Sequence, residues 1–528
     1  MARMPVTPAT TPPHGLRHGT ASHLVDDAEG CYLALAARDA RFDGSFFTGV
    51  TSTGIYCRPV CKVRTPQRGN CRFFRLAAQA EAAGFRPCLR CRPELAPQAQ
   101  AWSTQDATGA LLAQACRLLE QPDLVWDRDG THGLTVASLA QRLGVSDRHL
   151  RRMFHEGLGI SPLQYLQTQR LLTAKQLLAD TPMPMTDVAM LSGFGSVRRF
   201  NDALKKHYGL SPGHMRRALP STPRQPGARV TLAYRPPYAL QPLLKFLADR
   251  ALPGVELVDP ERLTLTRTLR LDAPHRTHTG WLRVVFDHAQ PKAHLEVSEG
   301  LCGVLPTVIR RVKHWLDLDA DPAAIDRTLA RSFPHTAGVR LPGSPDGFEL
   351  ALRAVLGQQV TVQAAQVLLA RVARSLGDPI ETPWPELSLL PPTPAQLLRA
   401  DDDRLGTLGV IRQRQRALKA VAHAMVHGQL VLQPGADPHT TEKTLLSLPG
   451  LGPWTASYVL MRALHWPDAF PSGDAALQHA LGTRQSPQAL KATEQLACGW
   501  QPWRSYAAMC LWHGTPPVRT AEVTNFHS

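Results

Sequence analysis

Apolar residues at helical spacing form the clearest pattern in the chain. In the stretch LTVASLAQRLGVSDRHLRRMF, Val136, Leu139 and Leu143 fall on one face of a predicted helix that ends near Gly144. Ser146 is placed to begin the next helix, because a serine hydroxyl accepts a hydrogen bond from an amide of the first turn. The pattern predicts two short helices joined by a tight turn.

The same arrangement occurs a second time in MTDVAMLSGFGSVRRFNDALKKHYGLSP. Gly193 falls in the turn, and a basic helix runs from Ser196 toward His207. Residues 135–217 hold twelve Lys and Arg against five Asp and Glu, a net charge of +7 by subtraction. We expect an all-α domain with two helix-turn-helix units and a basic surface.

The second half of the chain begins with a different pattern. The stretches TGWLRVVFDH and AHLEVSEG alternate apolar and polar residues as strands do, and the spacing turns helical from about residue 305. The predicted fold class is multidomain, mainly α with α+β parts. In chain order we expect a flexible tail (1–24), a small α+β module with four paired cysteines (25–96), the all-α domain (97–218), a linker (219–229), an α+β layer (230–304), an all-α bundle (305–515) and a tail (516–528).

Net charge and apolar content narrow the functional classes. The 528 residues carry 59 Lys and Arg against 43 Asp and Glu, and the resulting +16 favours a polyanionic partner, with nucleic acid first. No apolar run approaches the roughly 20 residues of a membrane span, and the N-terminal segment lacks the apolar core of a signal peptide. We therefore expect a cytoplasmic protein without membrane contact.

Four cysteines have the spacing of a metal site. Cys57 and Cys61 form one close pair, and Cys88 and Cys91 form another about 27 residues later, as in tetrahedral zinc sites built from four thiolates. Residues 41–92 carry ten Lys and Arg against two Asp and Glu, which suits a phosphate backbone. From spacing alone, a purely structural zinc site is the favoured interpretation.

The stretches FFTGVTSTGIYCRPVCKVR and CRFFRLAAQAEAAGFRPCLRCRPE resemble the N-terminal zinc module of the adaptive-response regulator Ada. The resemblance implies one Zn²⁺ held by the four cysteines, with Cys57 also the nucleophile that takes a methyl group irreversibly from a methylphosphotriester in DNA. Zinc keeps a bound thiol ionised, and methylation removes one negative charge near DNA, so repair would double as a switch. A structural zinc remains the alternative.

The two helix-turn-helix units offer candidate DNA contacts. A recognition helix in the major groove needs polar and basic side chains on its outer face. The alternative is an ordinary solvated helix face. The segment resembles AraC-type DNA-binding domains, including Gly193, Phe194, Phe200 and Lys205, which implies a transcription activator that contacts RNA polymerase and acts as a monomer. The candidates are Arg148, Arg151 and Arg152 in the first unit and Ser196, Arg198, Arg199 and Asn201 in the second.

A glycine hairpin and a carboxylate mark the C-terminal half. In LSLPGLGPWTASYVLMRAL, Gly450 and Gly452 separate two predicted helices, and such a turn lets backbone amides approach a phosphate. Asp474 follows the hairpin by about 20 residues, at the predicted start of another helix. From its position alone, Asp474 is a helix N-cap.

These segments, with LRAVLGQQVTVQAA and WQPWRSYAAMCLWHG, resemble the helix-hairpin-helix DNA glycosylases, in particular the AlkA-type 3-methyladenine enzymes. The resemblance implies that Asp474 is the catalytic carboxylate and that no cofactor is used. An alkylated purine is cationic and is attracted to aromatic faces, which the family supplies at positions matched by Trp454, Tyr458 and Trp512. Core packing is the alternative for each ring.

Two positions depart from patterns of this superfamily. Trp454 stands where its lyase members have a lysine, which implies a monofunctional hydrolase that leaves an abasic site. Gln359 stands where an AlkA-type enzyme has a leucine that inserts into the duplex, so we expect Gln359 to contact DNA through polar groups instead. We expect Gly450 and Gly452 to contact DNA as well.

The whole chain is thus predicted to be a fusion of a zinc methyl acceptor, an AraC-type activator domain and an alkylpurine glycosylase. It would sense alkylation, activate transcription and excise damaged bases from double-stranded DNA. The alternative is a zinc-stabilised transcription regulator whose C-terminal half binds DNA without catalysis.

Overall fold

The computed structural model describes residues 25, 27–98, 107–120, 135–218, 227–273 and 276–518. The predicted tail over 1–24, most of the predicted linker and residues 519–528 lie outside these ranges. The prediction of a multidomain chain, mainly α with α+β parts, is confirmed by the many helices and two small sheets.

The four-cysteine module (residues 27–98) is built on a four-stranded sheet in the order β3-β1-β2-β4. β1 pairs antiparallel with β2 and β3, and β2 pairs parallel with β4. Cys57 is the last residue of β2, and Cys88 follows β4 directly, so this parallel pair brings the two cysteine pairs together. Its elements are helices Ala28–Ala37 (α1) and Ala77–Ala82 (α2) and strands Phe47–Val50 (β1), Ile55–Cys57 (β2), Cys71–Phe74 (β3) and Arg86–Pro87 (β4).

The described part of the all-α domain (residues 107–120 and 135–218) holds the two predicted helix-turn-helix units. The turns at Gly144 and Gly193 have left-handed φ values of 67° and 82°. Ser146 and Ser196 cap the second helix of each unit as the sequence predicts, each hydroxyl accepting an amide hydrogen bond at 3.2 Å. The helices are Ala107–Leu119 (α3), Val136–Arg142 (α4), Asp147–Leu158 (α5), Pro162–Asp180 (α6), Met185–Leu191 (α7), Val197–Tyr208 (α8) and Pro212–Ala218 (α9).

The C-terminal half (residues 227–273 and 276–518) begins with a five-stranded antiparallel sheet in the order β5-β9-β8-β7-β6. β5 starts at Ala228, inside the predicted linker, because its alternating apolar side chains already pack on the sheet core. The elements of the layer are Ala228–Ala233 (β5), Leu240–Ala248 (α10), Glu256–Asp259 (β6), Thr264–Ala273 (β7), Arg276–Phe286 (β8), Lys292–Val297 (β9) and Glu299–Cys302 (α11).

A bundle of helices follows the sheet and packs into one apolar core with it. Its helices are Leu305–Trp315 (α12), Pro322–Leu329 (α13), Gly347–Leu356 (α14), Val362–Leu376 (α15), Pro394–Arg399 (α16), Asp402–Thr407 (α17), Arg412–Val426 (α18), Pro438–Ser447 (α19), Pro453–Arg462 (α20), Ala475–Ala480 (α21), Ala489–Ala497 (α22) and Arg504–Trp512 (α23). Among the residues described, no helix combines the length and apolarity needed to cross a bilayer.

The long helix α6 connects the two helix-turn-helix units and anchors the four-cysteine module. The ammonium of Lys175, fully buried, pairs with Glu94 and donates to the carbonyl of Cys88 at 3.0 Å. Arg92 bridges Glu94 at 2.8 Å and Asp180 at 2.7 Å. Because each buried charge has a partner of opposite sign, this polar junction does not leave isolated ions in the interior.

A buried arginine joins the four-cysteine module to the C-terminal half. Arg235 is completely buried, and its guanidinium donates to four main-chain carbonyls. Two belong to the module, Asp43 at 2.7 Å and Pro97 at 2.8 Å, and two belong to the helical bundle, Asp319 and Ala320, each at 2.9 Å. The four carbonyl oxygens surround the guanidinium of Arg235, and these hydrogen bonds hold the module against the helical bundle.

A buried carboxyl joins the four-cysteine module to the all-α domain. Glu81 accepts hydrogen bonds from the hydroxyls of Tyr56 at 3.0 Å, Thr168 at 2.7 Å and Tyr208 at 3.4 Å. Burial raises the pKa of Glu81 to about 7, although these hydroxyls and the charge of Lys175 act in the opposite direction.

We predict that Arg235→Leu destabilises the docked structure. Four buried carbonyls lose their donor, so we expect the free energy of unfolding, measured by urea titration, to fall by about 2–4 kcal/mol. Arg229→Leu is the control, because Arg229 forms only a half-exposed pair with Glu296 at 3.7 Å and should cost under about 1 kcal/mol. Equal effects of the two substitutions would contradict the role given to Arg235.

We predict that Glu81→Gln flattens the dependence of stability on pH. A carboxyl whose pKa is raised by folding makes its full contribution to protein stability below pH 4.5, which is the pKa of a glutamate in the unfolded chain. This contribution is lost as the pH rises through about 7, the pKa in the folded protein. At pH 8 the amide avoids the buried charge and should stabilise the protein by about 2 kcal/mol, measured as urea midpoints from pH 5 to 8. The exposed Glu261→Gln should leave the profile unchanged; a wild-type-like profile for Glu81→Gln would refute the assignment.

Candidate functional site

The four cysteines form one compact cluster. Their Sγ atoms all lie within 4.8 Å of one another, with Cys57, Cys61 and Cys88 buried and Cys91 partly exposed. A tetrahedral site with Zn–S bonds of 2.3 Å has sulfur–sulfur edges of about 3.8 Å, so the donor set and its spacing fit Zn²⁺. The four residues could hold the metal without a large rearrangement.

The surroundings of the cluster compensate negative charge on sulfur. The main-chain amide of Arg58 donates to Cys91 Sγ at 3.3 Å, and its buried guanidinium pairs with Asp43 while donating to the carbonyl of Cys91 at 3.1 Å. Lys62, Arg64 and Arg90, near the cysteines in the chain, are exposed. Exposed cations beside the cysteine cluster give this face a positive charge that suits a phosphate backbone.

The second helix of each helix-turn-helix unit presents its predicted contacts to solvent. Arg148, Arg151 and Arg152 on α5 are exposed, as are Arg198, Arg199 and Asn201 on α8. Arg151 pairs with Asp147 at 2.9 Å, a surface ion pair of the kind that contributes little stability. Ser196 is partly buried, and its hydroxyl is engaged as the helix cap. These side chains are exposed to solvent on the second helix of each unit, where a DNA groove could reach them.

In the C-terminal half, the structure gathers all the predicted glycosylase residues around one cleft of about 1020 Å³. The residues come from segments up to 153 positions apart, from Gln359 to Trp512, and the cleft lies between the layer and the bundle. The predicted residues that line it are Gln359, Gly450, Gly452, Trp454, Tyr458, Asp474 and Trp512.

Aromatic rings form the walls of the cleft. Trp454 and Tyr458, one turn apart on α20, are nearly parallel at 12° with centroids 5.4 Å apart. Trp512, at the end of α23, lies 6.1 Å from Tyr458 and 6.4 Å from Phe246. All three predicted rings are partly exposed and line the cleft.

Asp474 sits among these rings as the N-cap of α21. Its Oδ1 accepts from the amides of Ala476 and Leu477 at 3.0 Å and from the Trp512 indole at 3.2 Å. Its Oδ2 accepts from the Trp454 indole at 2.9 Å. The carboxylate is both a helix cap and a pocket residue, and four N–H donors fix its orientation.

The structure adds cleft residues that the sequence analysis missed. Phe246 on α10 carries the guanidinium of Arg250 over its ring at 3.8 Å, and Arg462 donates to the Tyr458 hydroxyl at 2.9 Å. Arg250 follows Phe246 by four residues, the spacing of one helical face, but this signal does not distinguish a pocket from a surface. Phe246 and Arg250 line the cleft because α10 packs against the bundle.

A buried ionic square forms another part of the cleft that the sequence analysis missed. Arg267 and Arg353 each pair with both Glu256 and Glu349, all at 2.7 Å. Burial raises the pKa of Glu349, but the two guanidinium groups outweigh it and bring the pKa to about 2. The square therefore stays ionised and ties the sheet to α14. Glu349 and Arg353 lie four residues apart on one helix, and this spacing is the sequence signal that indicates an ion pair between them.

Comparisons with known proteins assign a family to each segment. Family models match over residues 30–94 (metal binding domain of Ada), 139–218 (helix-turn-helix domain), 229–346 (AlkA N-terminal domain) and 352–502 (HhH-GPD superfamily base excision DNA repair protein). Together these matches cover most of the chain, in the order that the sequence analysis predicts.

Three curated relatives support the same division. A probable bifunctional transcriptional activator/DNA repair enzyme AlkA of Mycobacterium tuberculosis is 37% identical over 500 residues, which is 93% of this chain and 97% of the relative. DNA-3-methyladenine glycosylase 2 of Escherichia coli is 33% identical over 54% of this chain and 96% of its own length. The regulatory protein ada of Salmonella typhimurium is 39% identical over 32% of this chain and 43% of its own length.

Since the mycobacterial relative matches almost from end to end, and the Ada and AlkA models match in successive segments, the chain belongs to the family of bifunctional transcriptional activator/DNA repair enzymes in which an Ada-type zinc-binding domain and a helix-turn-helix domain precede an AlkA-type glycosylase.

Proposed function

We propose that this protein senses DNA alkylation, activates transcription and repairs alkylated bases. It accepts a methyl group from DNA methylphosphotriesters on Cys57 and hydrolyses the N-glycosidic bond of alkylated purines such as 3-methyladenine. The observation that carries the excision activity is the Asp474 carboxylate, held by two indole N–H groups at the edge of an aromatic cleft. The names of the relatives support the same assignment.

The geometry supports hydrolysis of a flipped-out nucleotide. A cationic purine enters the cleft and lies against the faces of Tyr458 and Trp512, which attract its charge. Asp474 faces the sugar and stabilises the positive charge that develops there as the bond to the base breaks. A water oxygen bonds to C1′, the base leaves as a neutral molecule with the electrons of the C1′–N bond, and the attacking water releases a proton to the surrounding solvent. Because the alkylated base already carries a positive charge, it leaves without a proton donor.

At the four-cysteine module, the proposed reaction is a single methyl transfer. Bound Zn²⁺ would keep the coordinated sulfurs as thiolates at neutral pH. Cys57 Sγ bonds to the methyl carbon, the carbon–oxygen bond breaks, and the phosphate leaves as an ordinary diester anion. Lys62, Arg64 and Arg90 would hold the neighbouring phosphates. The thioether has no route back to a thiolate, so each molecule reacts once.

The helix-turn-helix units provide the proposed link to transcription. The exposed Arg148, Arg152 and Arg198 support promoter binding, with RNA polymerase as the protein partner. We propose that the protein acts as a monomer in the cytoplasm. The alternative, a regulator whose C-terminal half binds DNA without chemistry, gives no reason for an aromatic cleft around a carboxylate.

We predict that Asp474→Asn abolishes base excision without preventing DNA binding. Loss of the carboxylate charge removes the stabilisation of the developing cation, so the single-turnover rate of 3-methyladenine release should fall at least about 100-fold. The affinity for duplex DNA, measured by fluorescence anisotropy, should change by less than about threefold.

The matched control for this prediction is Asp403→Asn, a change on the exposed surface of α17. It should retain the wild-type rate. An Asp474→Asn protein with full activity would remove Asp474 from the mechanism, and a wild-type protein that releases no base would favour binding without catalysis.

We predict that Cys57 acquires one methyl group from DNA that contains methylphosphotriesters. Peptide mass spectrometry of the reacted protein should place it on Cys57, and Cys57→Ser should acquire none. Cys71→Ser is the control, because Cys71 lies outside the cluster, and it should react as the wild type does. A methyl group on Cys61, Cys88 or Cys91 would assign the reaction to another member of the cluster. A methyl group on a cysteine outside the cluster, or on none, would leave the cluster with a structural role only.

A further inference from the structure

The turn between α14 and α15 holds an unusual backbone conformation at the mouth of the cleft. Gln359 has a φ of +54°, in the left-handed region that residues with a side chain seldom adopt. Its side chain is exposed, as is that of Val360. A residue keeps such a conformation when its surroundings hold it there, and conformations of this kind cluster at functional sites.

The neighbouring Gln358 holds this turn in place. Its side-chain amide donates to the carbonyl of Gly450 at 3.0 Å and to the hydroxyl of Thr455, a buried residue, at 2.9 Å. Its own carbonyl accepts from the guanidinium of Arg414. One glutamine thus connects the turn to the glycine hairpin, to α20 and to α18.

The hairpin is itself fixed against α18. Gly450 has a φ of +78°, and a Cβ at this position would lie 3.1 Å from the Cβ of Ala417. The close approach of the two backbones and the bond from Gln358 leave the hairpin peptide little freedom. The turn, the hairpin and α18 therefore form one joint, named here the Gln358 joint.

We propose that Gln358 is a positioning residue that sets Gln359 at a fixed distance from the hairpin, so that phosphate binding by the hairpin and entry of Gln359 into the duplex occur together. The inference rests on the proposed glycosylase function and deepens it. The side-chain amide of Gln358 donates to groups within the protein, whereas the side chain of Gln359 is exposed to solvent, where DNA can reach it.

A fixed joint has a direct energetic consequence for base flipping. Extruding a nucleotide costs unstacking and unpairing energy, and that cost is smallest where the base is already unpaired. If the turn were loose, part of the DNA-binding energy would be used to order it at the moment of insertion. The Gln358 joint should therefore matter most when the damaged base is paired and stacked.

The test compares excision from two duplexes by the full-length protein. In the first, 7-methylguanine is paired with cytosine; in the second, it lies opposite an abasic site. We expect Gln358→Ala to slow single-turnover excision from the paired duplex at least tenfold and from the second duplex less than threefold. A 2-aminopurine base next to the lesion should also report less unstacking with this variant than with the wild type.

Two further variants keep the result interpretable. Gln358→Glu preserves the length and shape of the side chain but cannot donate to the Gly450 carbonyl, so it should show the same selective loss. Gln429→Ala removes an exposed glutamine on another surface and should match the wild type on both duplexes. Thermal unfolding of each variant checks that the fold is retained.

The outcomes separate the inference from the function on which it rests. If the wild type excises 7-methylguanine and Gln358→Ala behaves like Gln429→Ala, the positioning role is wrong and the glycosylase proposal stands. Equal slowing on both duplexes also overturns the positioning role, because a general defect in the cleft would produce it. If the wild type excises from neither duplex, the proposed excision of alkylated purines fails for this substrate and the inference fails with it.

Discussion

The cleft of the C-terminal half is organised around one carboxylate, which four N–H donors hold at the cleft wall. An aspartate at the rim of a solvent-filled cleft would normally sample several rotamers, but Asp474 is bonded by the first amides of α21 and by two indoles. Those indoles belong to Trp454 and Trp512, which also line the cleft. The same rings thus orient the carboxylate and form the walls of the cleft, so the parts of the site cannot shift separately.

The positions of these parts were only partly predictable from sequence. Local patterns identified the two helix-turn-helix units, the strand-like stretches around residues 280 and 295 and the paired cysteines, because turn residues, helix caps and alternation act over a few positions. The resemblance to known families connected Asp474 with the aromatic residues. Phe246 and Arg250, like Glu349 and Arg353, are four residues apart, but that spacing fits any helix face. Their place at the cleft depends on packing between the layer and the bundle, which no local pattern shows.

Buried polar contacts, rather than apolar faces alone, connect the parts of the chain. Glu81 and Glu94 lie between the four-cysteine module and the all-α domain, and Arg235 lies between the module and the helical bundle. Such contacts require matched donors and acceptors, so they favour one relative arrangement over others that would bury the same area. They were absent from the sequence analysis because most of the residues that satisfy each group lie far away in the chain.

The carbonyl cage around Arg235 also determines how far excision can act from the sensor. Domains joined by a flexible tether find neighbouring targets at an effective concentration of about millimolar, spread over every direction that the tether allows. A rigid attachment confines that search to a short stretch of duplex at one distance and on one side. A molecule anchored at an alkylated phosphate would accordingly survey the nearest bases first.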